Sequence, residues 1–258
     1  MRTVIALEGR LRFCRNVLTL GVKPNFADYG DKARDLIRRA DTIYYPSHFY
    51  AALFDTMGKR TFPSYHTYKC VMDKIKQSAL FQILEIPHPK TRVFYGKTQQ
   101  KKILNHFDFP FVAKIAKGSS MGRGVFFINR QKALDHYLKD THVAYIQEYI
   151  PMERDCRVVV TGGKVIHSYW RNAPDGDFRT NFSTGGTISF EPIPEKVQRF
   201  AINIARRCRF DDVGLDICQS GHKMYVIEAN MKYGRSGFKR AGIDFFHLME
   251  TLIEQDVI

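Results

Sequence analysis

Asp216, Glu228 and Asn230 lie in the stretch VGLDICQSGHKMYVIEAN near the C-terminus, where a short hairpin would turn three side-chain oxygens toward one point. Side chains two apart on a strand share a face, so Glu228 and Asn230 do, and a loop of about three residues near Gly221 brings Asp216 opposite Glu228. The alternate residues Leu215, Ile217, Ile227 and Ala229 are apolar and are expected to pack on a core. A few hard oxygen donors, leaving room for water and phosphate, are what magnesium takes when it carries a nucleotide. Acidic residues on a hairpin also make an ordinary solvated face, and the trio alone leaves both readings open.

The elements that must position such a site fit in a chain of 258 residues, enough for one large domain or two small ones. Hydrophobic residues make up 44% and aromatics 13%, which excludes a disordered or low-complexity chain. The first residues, MRTVIALEGRLRF, hold too short an apolar run for a signal peptide. No uncharged apolar stretch reaches the roughly 18 residues a membrane helix needs. A soluble, cytoplasmic protein without membrane association is expected. Cys14, Cys70, Cys156, Cys208 and Cys218 are odd in number, scattered and free of any CxxC pair, which argues against both a disulfide framework and a zinc site. The net charge of +14, from 40 Lys and Arg against 26 Asp and Glu, points to an anionic ligand or partner: phosphates, an acidic peptide or nucleic acid. The basic residues are dispersed, so a generally basic solvated surface is an equal reading of the charge.

Along the chain, TVIAL (3–7) reads as a strand, 31–39 as a helix, TIYYP as a second strand and 47–57 as a helix followed by a basic turn, GKRTFPSY. A boundary is placed near residue 66. From Met72 to Leu84 the residues Ile75, Ala79, Leu80 and Ile83 recur at helical spacing, and the helix should stop before Pro87. FPFVAKIAKGSSMGRGVFFI reads as strand, glycine-rich turn, strand. Because Val125 to Ile128 are β-forming and follow Gly124 directly, neither a P-loop nor a dinucleotide-binding turn fits, since both lead into a helix. Such a hairpin, with Gly118, Ser119, Ser120, Gly122 and Gly124, can still lay backbone N–H groups over phosphates. Residues 131–139 read as a helix and VAYIQEYI as a strand. RVVVTGGKVIHSYWR forms a hairpin turning at Gly162-Gly163, and Val197, Ala201, Ile204 and Cys208 mark an amphipathic helix.

Taken in order, DKIKQSALFQILEIPHPKT, FPFVAKIAKGSSMGRGV, IQEYI, DCRVVV, GDFRTNFSTGG, VGLDIC and VIEAN resemble the ATP-grasp superfamily, most closely its RimK-type ligases. The resemblance covers roughly residues 70–245 and is specific as a set rather than piece by piece. It implies an α+β ATP-grasp fold in which two α+β lobes clamp ATP, preceded by a shortened N-terminal α/β region. The expected units are 1–66 for that region and 67–258 for the ATP-grasp domain. Within the latter, the smaller closing lobe spans about 88–148 and the larger metal- and substrate-binding lobe about 149–258.

By position, the resemblance makes Lys74 and Lys114 the two ATP lysines, Glu148 and Tyr149 the hinge that meets adenine, and Asp155 the ribose acid. Arg157, Arg171 and Arg179 are similar in position to arginines at the phosphate and acyl-phosphate site, with Thr180 and Asn181 beside the last. Asp216, Glu228 and Asn230 fall on the family's metal positions, for one or two Mg²⁺ or Mn²⁺ ions. Three features depart from the pattern: the part before Lys74 is abbreviated relative to the usual flanking domain, the segment between Glu148 and Asp155 is about two residues shorter, and the family's Asn-x-Ser-Pro-Gly run is Asn230-Met231-Lys232-Tyr233-Gly234 here, followed by Arg235.

The implied function is an ATP- and Mg-dependent carboxylate–amine ligase that activates a carboxylate as an acyl phosphate and joins it to an amine, adding an amino acid to a peptide, protein or small amino-acid substrate. The positive charge favours acidic substrates. A kinase that stops at a phosphoester, and a non-catalytic module binding nucleic acid or an acidic partner, are the competing readings. The full set of lysines, arginines and oxygen donors disfavours the second. Exposed aromatics in 43–54 allow a homo-oligomer.

Overall fold

The computed structural model describes residues 4–116, 124–174 and 186–258. Among the described residues three sheets follow one another along the chain. The first is parallel, in the order β2-β1-β3-β4, from β1 (Val4–Ala6), β2 (Val17–Thr19), β3 (Thr42–Tyr44) and β4 (Arg60–Phe62). Parallel neighbours need crossovers, supplied here by α1 (Asp31–Arg39) and α2 (His48–Thr56). The short α3 (Tyr65–Lys69) and then α4 (Lys74–Ile83) lead away from this sheet.

The second sheet is antiparallel, ordered β5-β8-β6-β7, from β5 (Thr91–Tyr95), β6 (Phe111–Ile115), β7 (Val125–Ile128) and β8 (Val143–Glu148), with α5 (Gly96–Gln100) and α6 (Gln131–Lys139) between strands. Phe111, Ala113, Ala144 and Ile146 alternate onto one face and are buried with Leu134 and Tyr137 of α6. Val112, Lys114 and Gln147 are left on the other.

The third sheet is antiparallel, ordered β11-β10-β9-β12-β13, from β9 (Arg154–Thr161), β10 (Lys164–Asn172), β11 (Thr187–Ser189), β12 (Asp212–Ser220) and β13 (Lys223–Asn230). Gly162 and Gly163, at φ +56° and +76°, make the two-residue turn between β9 and β10 that a right-twisted hairpin requires. Cys156, Val158, Val160, Leu215, Ile217 and Ala229 point to one face and are buried against α7 (Glu195–Cys208). That helix contributes Val197, Ala201, Ile204, Ala205 and Cys208 at i, i+4, i+7, i+8 and i+11, and the larger of these stabilise the layer by about 1.5–3 kcal/mol each. The opposite face is divided. Toward the first sheet it is covered by Tyr233, α8 (Ser236–Arg240) and α9 (Phe245–Glu254), and toward the second sheet it is charged.

Two expectations change. The helix over 74–83 does not bury the stripe Ile75, Ala79, Leu80, Ile83: Ile83 is 79% exposed, and the buried positions are Lys74, Gln77, Ser78 and Phe81. Apolar periodicity is overridden because this face of α4 looks into a polar site. In the last hairpin Ser220 faces Lys223 across a two-residue turn, yet Asp216 still faces Glu228, because a bulge puts Ile227 in as an extra residue. The bulge turns Val226 into the core and takes Ile227, expected there, out of it. All five cysteines are buried and unpaired. No helix among the described residues is long and apolar enough to cross a membrane.

Candidate functional site

Between the second and third sheets lies a narrow cleft, open at its mouth, with a cavity volume of about 80 Å³. One wall is the inner face of the second sheet, with Val112, Lys114, Val125 and Gln147. The other is the charged face of the third, with Asp155, Arg171, Asp216, Ile227 and Glu228. Glu148, Tyr149, Ile150 and Met152 join the two.

The charged face exists because register aligns like parity across four strands. Arg157 faces Asp216 across β9 and β12, Asp155 faces Arg171 across β9 and β10, and Asp216 faces Glu228 across β12 and β13. Arg171 grips Asp155 with two donors, Nε to Oδ1 at 2.7 Å and Nη2 to Oδ2 at 2.5 Å, and its Nη2 lies 3.0 Å from Asp216 Oδ2. Arg157 donates to Asp216 through Nε and, at 3.0 Å, through Nη2. All four side chains are at least nine-tenths buried. Burial would raise the Asp216 carboxyl, but Arg157 and Arg171 together hold it below the usual carboxylate range. Burial opposes charge on both arginines as well; Asp155 and Asp216 outweigh it at Arg171, and Asp216 does so at Arg157.

Lys74, in the first turn of α4, sends Nζ to 3.0 Å from Glu228 Oε1. Asp73 caps that helix by accepting from the Lys76 N–H at 3.0 Å, which fixes where Lys74 points. Lys114 Nζ donates to Gln147 Oε1 at 2.6 Å, and Gln147 in turn donates to Thr91 Oγ1 at 3.0 Å. Burial pushes the Lys114 ammonium down to about 8; Glu228 opposes this and Lys74 adds to it. The Glu148 carboxylate accepts from the Lys90 N–H at 3.1 Å, and Tyr149 packs edge-on against Phe127 with ring centroids 5.0 Å apart. Gly124 has φ +74°, and a Cβ there would lie 2.6 Å from Ile115, so the start of β7 requires glycine.

Lys114, Glu148, Tyr149, Asp155, Arg171, Asp216 and Glu228 thus line one cleft, Lys74 reaches it through Glu228, and Arg157 lies beneath it on Asp216. Asn230 sits at the end of β13 opposite Gly214, outside the cleft lining, and its Oδ1 accepts from the Lys232 N–H at 3.1 Å. Gly118, Ser119, Ser120, Gly122, Arg179, Thr180 and Asn181 lie outside the described residues. Sequence reasoning missed Gln147 and Gln77. Gln77 accepts from the Ala229 N–H at 3.1 Å and donates to Cys70 O at 3.0 Å, tying α4 to β13 beside Glu228. Its position three residues after Lys74, on the same helical face, was the available signal.

Among the described residues no group of three His, Cys, Asp or Glu side chains is arranged to hold a metal ion. The candidate set is instead two carboxylates and an amide on one sheet face, all hard oxygen donors, a small set suited to an ion that keeps waters and phosphates as further ligands. Asp216 shares its oxygens with two arginines and Glu228 shares one with Lys74; a carboxylate has about four acceptor positions, so each keeps some for a cation.

A family model described as the RimK-like ATP-grasp domain matches residues 71–253. The chain belongs to the RimK-like ATP-grasp family. It is 32% identical over 192 residues to a "Probable alpha-L-glutamate ligase" of Enterobacter sp. (strain 638), an alignment covering 71% of this chain and 63% of that protein. It is 29% identical, with the same coverage, to a "Ribosomal protein bS6--L-glutamate ligase" of Escherichia fergusonii. The match therefore spans less than two thirds of the length of these curated relatives. A RimK domain ATP-grasp protein of Sphaerobacter thermophilus DSM 20745 superimposes with a TM-score of 0.71 at 18% identity, covering 96% of this chain and 98% of its own. That likeness bears on fold: the ATP-grasp α+β architecture implied by the ordered motifs is the one observed. In RimK-like terms the cleft lies between the two antiparallel sheets, and the buried ion network forms its floor.

Proposed function

We propose that the protein is an ATP- and Mg-dependent carboxylate–amine ligase, and that the cleft between the second and third sheets takes the nucleotide. The observation that carries this reading is the opposition of Lys114 on one sheet to Asp155, Arg171, Asp216 and Glu228 on the other, across one open cleft. The second sheet belongs to the closing lobe, about 88–148, and the third to the lobe of 149–258.

In this reading Lys114 and Lys74 supply compact positive charge to the phosphates, and Val112, Val125, Ile227 and Met152 give the base apolar walls beside Glu148 and Tyr149. Asp155 takes the ribose side while holding the Arg171 guanidinium in a fixed plane. Arg171 and Arg157, already locked by Asp216, present charge without having to reorganise when a phosphoryl group moves, which is where electrostatic stabilisation is largest. Asp216, Glu228 and Asn230 would hold magnesium, which neutralises phosphate charge when bound. Arg179, Thr180 and Asn181 would complete the phosphate contacts, and residues 118–124 would cover them. The carboxylate becomes an acyl phosphate, and an amine displaces phosphate to give an amide. The names of the relatives make L-glutamate the first amine to test and a peptide or protein end the first carboxylate.

The test is ADP release by the full chain with Mg²⁺, ATP and a panel of amino acids and peptides, with mass spectrometry of the product. A condensed amide in wild type, lost in Asp216→Ala, is the expected result. ATP consumption leaving a phosphate on the product would assign a kinase, and no Mg·ATP binding would refute the reading altogether.

A further inference from the structure

On the face of the second sheet turned away from the nucleotide cleft lies a larger cavity, of about 620 Å³, the size of a small-molecule site. Register explains its walls. Phe126 faces Ala113 across β6 and β7, and Ile115 is two residues on from Ala113, so both side chains stand on the face that carries α6. Neither is fully covered, Ile115 being 46% exposed and Phe126 37%, and Tyr95 at the end of β5 joins them at 49%. The start of α4 adds Ile75. Apolar side chains of this size gathered in one concavity are the composition of a binding surface.

The charge of this cavity is opposite to that of the chain. Of the 40 Lys and Arg none lines it, whereas Asp140 does, and the Asp140 carboxylate has no hydrogen bond or ion pair among the described residues. Asp140 also caps the C-terminal end of α6, where the last carbonyls carry the helix's partial negative charge. Beside it are aromatic faces. The rings of Phe126 and Tyr137 lie with centroids 5.4 Å apart, and the Tyr137 hydroxyl is already used, donating to the Lys114 carbonyl at 2.9 Å and accepting from the Tyr145 N–H at 3.2 Å. Tyr137 therefore offers the cavity a ring and no polar end. His136 and His142 add ring nitrogens that accept from an N–H when neutral. Aromatic faces next to a carboxylate, with no cation to compete, suit an organic ammonium ion, and an anionic ligand would meet no counter-charge.

The same walls hold the main chain of both nucleotide lysines. Tyr137 binds the Lys114 carbonyl, and Ala116 on the cavity wall accepts from the Lys74 N–H at 3.2 Å, next to Ile75. The turn at Thr141-His142 is fixed in its turn, since Gln100 Nε2 donates to both carbonyls, at 2.9 and 3.2 Å. A ligand in contact with both Ile75 and Ile115 would tie α4 to the second sheet and so order the two lysines before the nucleotide arrives.

We propose that this cavity binds an organic ammonium ion with an apolar body, its ammonium on Asp140 and the rings of Tyr95, Phe126 and Tyr137, and that its occupancy raises the affinity for Mg·ATP. The second clause rests on the ligase reading, which puts the triphosphate on Lys74 and Lys114; the first stands without it. A ligand that has already met the cost of ordering leaves less of it to the next, and the effect is reciprocal.

The experiment uses the full chain with labelled isoleucine methyls, at about pH 8, where an ordinary imidazole is neutral. Phenethylammonium is the probe and phenylacetate its anionic counterpart. The Ile75 and Ile115 methyl resonances should shift with phenethylammonium, and its affinity should exceed that of phenylacetate by about tenfold or more. Asp140→Asn should remove most of that preference and Asp140→Lys should reverse it; the residue is exposed at a helix end, so both variants should fold. Phe126→Ala should weaken the ammonium probe by about threefold or more. In calorimetry, saturating phenethylammonium should tighten Mg²⁺ with a non-hydrolysable ATP analogue by about fivefold or more in the wild type and leave it unchanged in Asp140→Lys. The site is refuted if the wild type shows no preference for the ammonium, if other isoleucines shift in place of these two, or if the Asp140 variants keep the wild-type preference. The coupling is refuted if the analogue binds equally with and without the probe. Wild type that binds the probe but not the analogue would sink the ligase reading and leave the site standing, which keeps the failures apart.

Discussion

Lys114 gives the sharpest test of where the triphosphate lies. The residue is 5% exposed, and its ammonium faces Glu228 on β13, Lys74 on α4, Asp216 and Cys218 on β12, and donates a hydrogen bond to Gln147 on β8. Burial brings it from the ordinary 10.5 down to about 8, so keeping it charged in place costs about 3 kcal/mol. A triphosphate against Nζ would supply the missing negative charge and return the group to its ordinary range. Binding then draws in a proton wherever the pH lies above about 8 and below the restored value. Mg·ATP affinity should be flat from pH 7 to 8 and fall about tenfold per unit above that, which makes it about tenfold weaker at pH 9. The free protein moves the opposite way. Between about 8 and 10.5 the unfolded chain holds the proton that the folded state has released, so this lysine makes folding more favourable as pH rises.

Calorimetric titration at pH 9 in buffers of different ionisation enthalpy counts the proton directly, and close to one should be taken up per nucleotide. Lys114→Met should show the high-pH affinity at every pH and no uptake. Equal affinity at pH 7 and 9 in wild type, with no proton linked, would mean that no phosphate sits on Lys114, and the placement of the nucleotide would have to be abandoned.

Three further outcomes follow from the packing around the cleft. Asp212 is fully buried and accepts from the hydroxyls of Tyr45 at 2.8 Å, Thr161 at 2.8 Å and Tyr233 at 2.7 Å, so it ties the first sheet to the third; Asp212→Ala should cost about 3 kcal/mol or more in urea denaturation, and a loss under about 1 kcal/mol would count against this tie. Gln77→Met strands the Ala229 N–H and leaves the Cys70 carbonyl only the Asp73 N–H, with an expected cost of about 1–3 kcal/mol and weakened Mg·ATP binding through the neighbouring Glu228, both read by thermal shift with and without nucleotide. Gly214→Ala places a Cβ 3.0 Å from Tyr233 Cβ and 3.1 Å from Arg157 Cδ, two groups that cannot easily yield, so a loss of about 1–3 kcal/mol is expected, and an unchanged denaturation midpoint would show that they do yield.

What could be read in advance was set by alternation and motif order. Asp155 and Arg157 against Cys156 and Val158, or Lys114 among apolar neighbours, declare their faces locally, because a strand has only two. The family motifs extended this to a fold now observed. The strands β2 and β4 escaped for separate reasons: no α-helix between β1 and β2 marks a second parallel strand, and β4 falls in a stretch that reads as a basic turn. The register of the last hairpin was reached by a different route than expected, a tight turn plus a bulge in place of a longer loop, and only the bulge residue Ile227 reveals the difference. On α4 the apolar stripe was misleading because polar residues facing a site can be as buried as a core. The ion network itself depends on three registers at once, and no local pattern announces that Arg171 and Arg157 meet on one carboxylate.

That network also bears on how an ion and a nucleotide would arrive. Asp155, Asp216 and Glu228 carry three negative charges, and Arg171, Arg157 and Lys74 already balance them, with Lys114 in addition. A bare divalent ion entering this floor meets carboxylates already engaged and cations beside them, so its binding alone should be weak. ATP alone brings charge that the four cations attract, but the three acids oppose it. Mg·ATP would resolve both conflicts, since the ion would draw on spare acceptor positions of Asp216 and Glu228 while the phosphates would draw on the lysines and arginines. The two should therefore bind with strong mutual coupling, ATP raising the affinity for Mg²⁺ by the same factor as Mg²⁺ raises that for ATP. Titrating each in the absence and presence of the other measures that factor, and in Asp216→Asn, with one carboxylate removed from the balance, the coupling should shrink even where the affinity for ATP alone improves. Independent binding of ion and nucleotide in the wild type would show that the buried carboxylates serve the sheet and not the ligand.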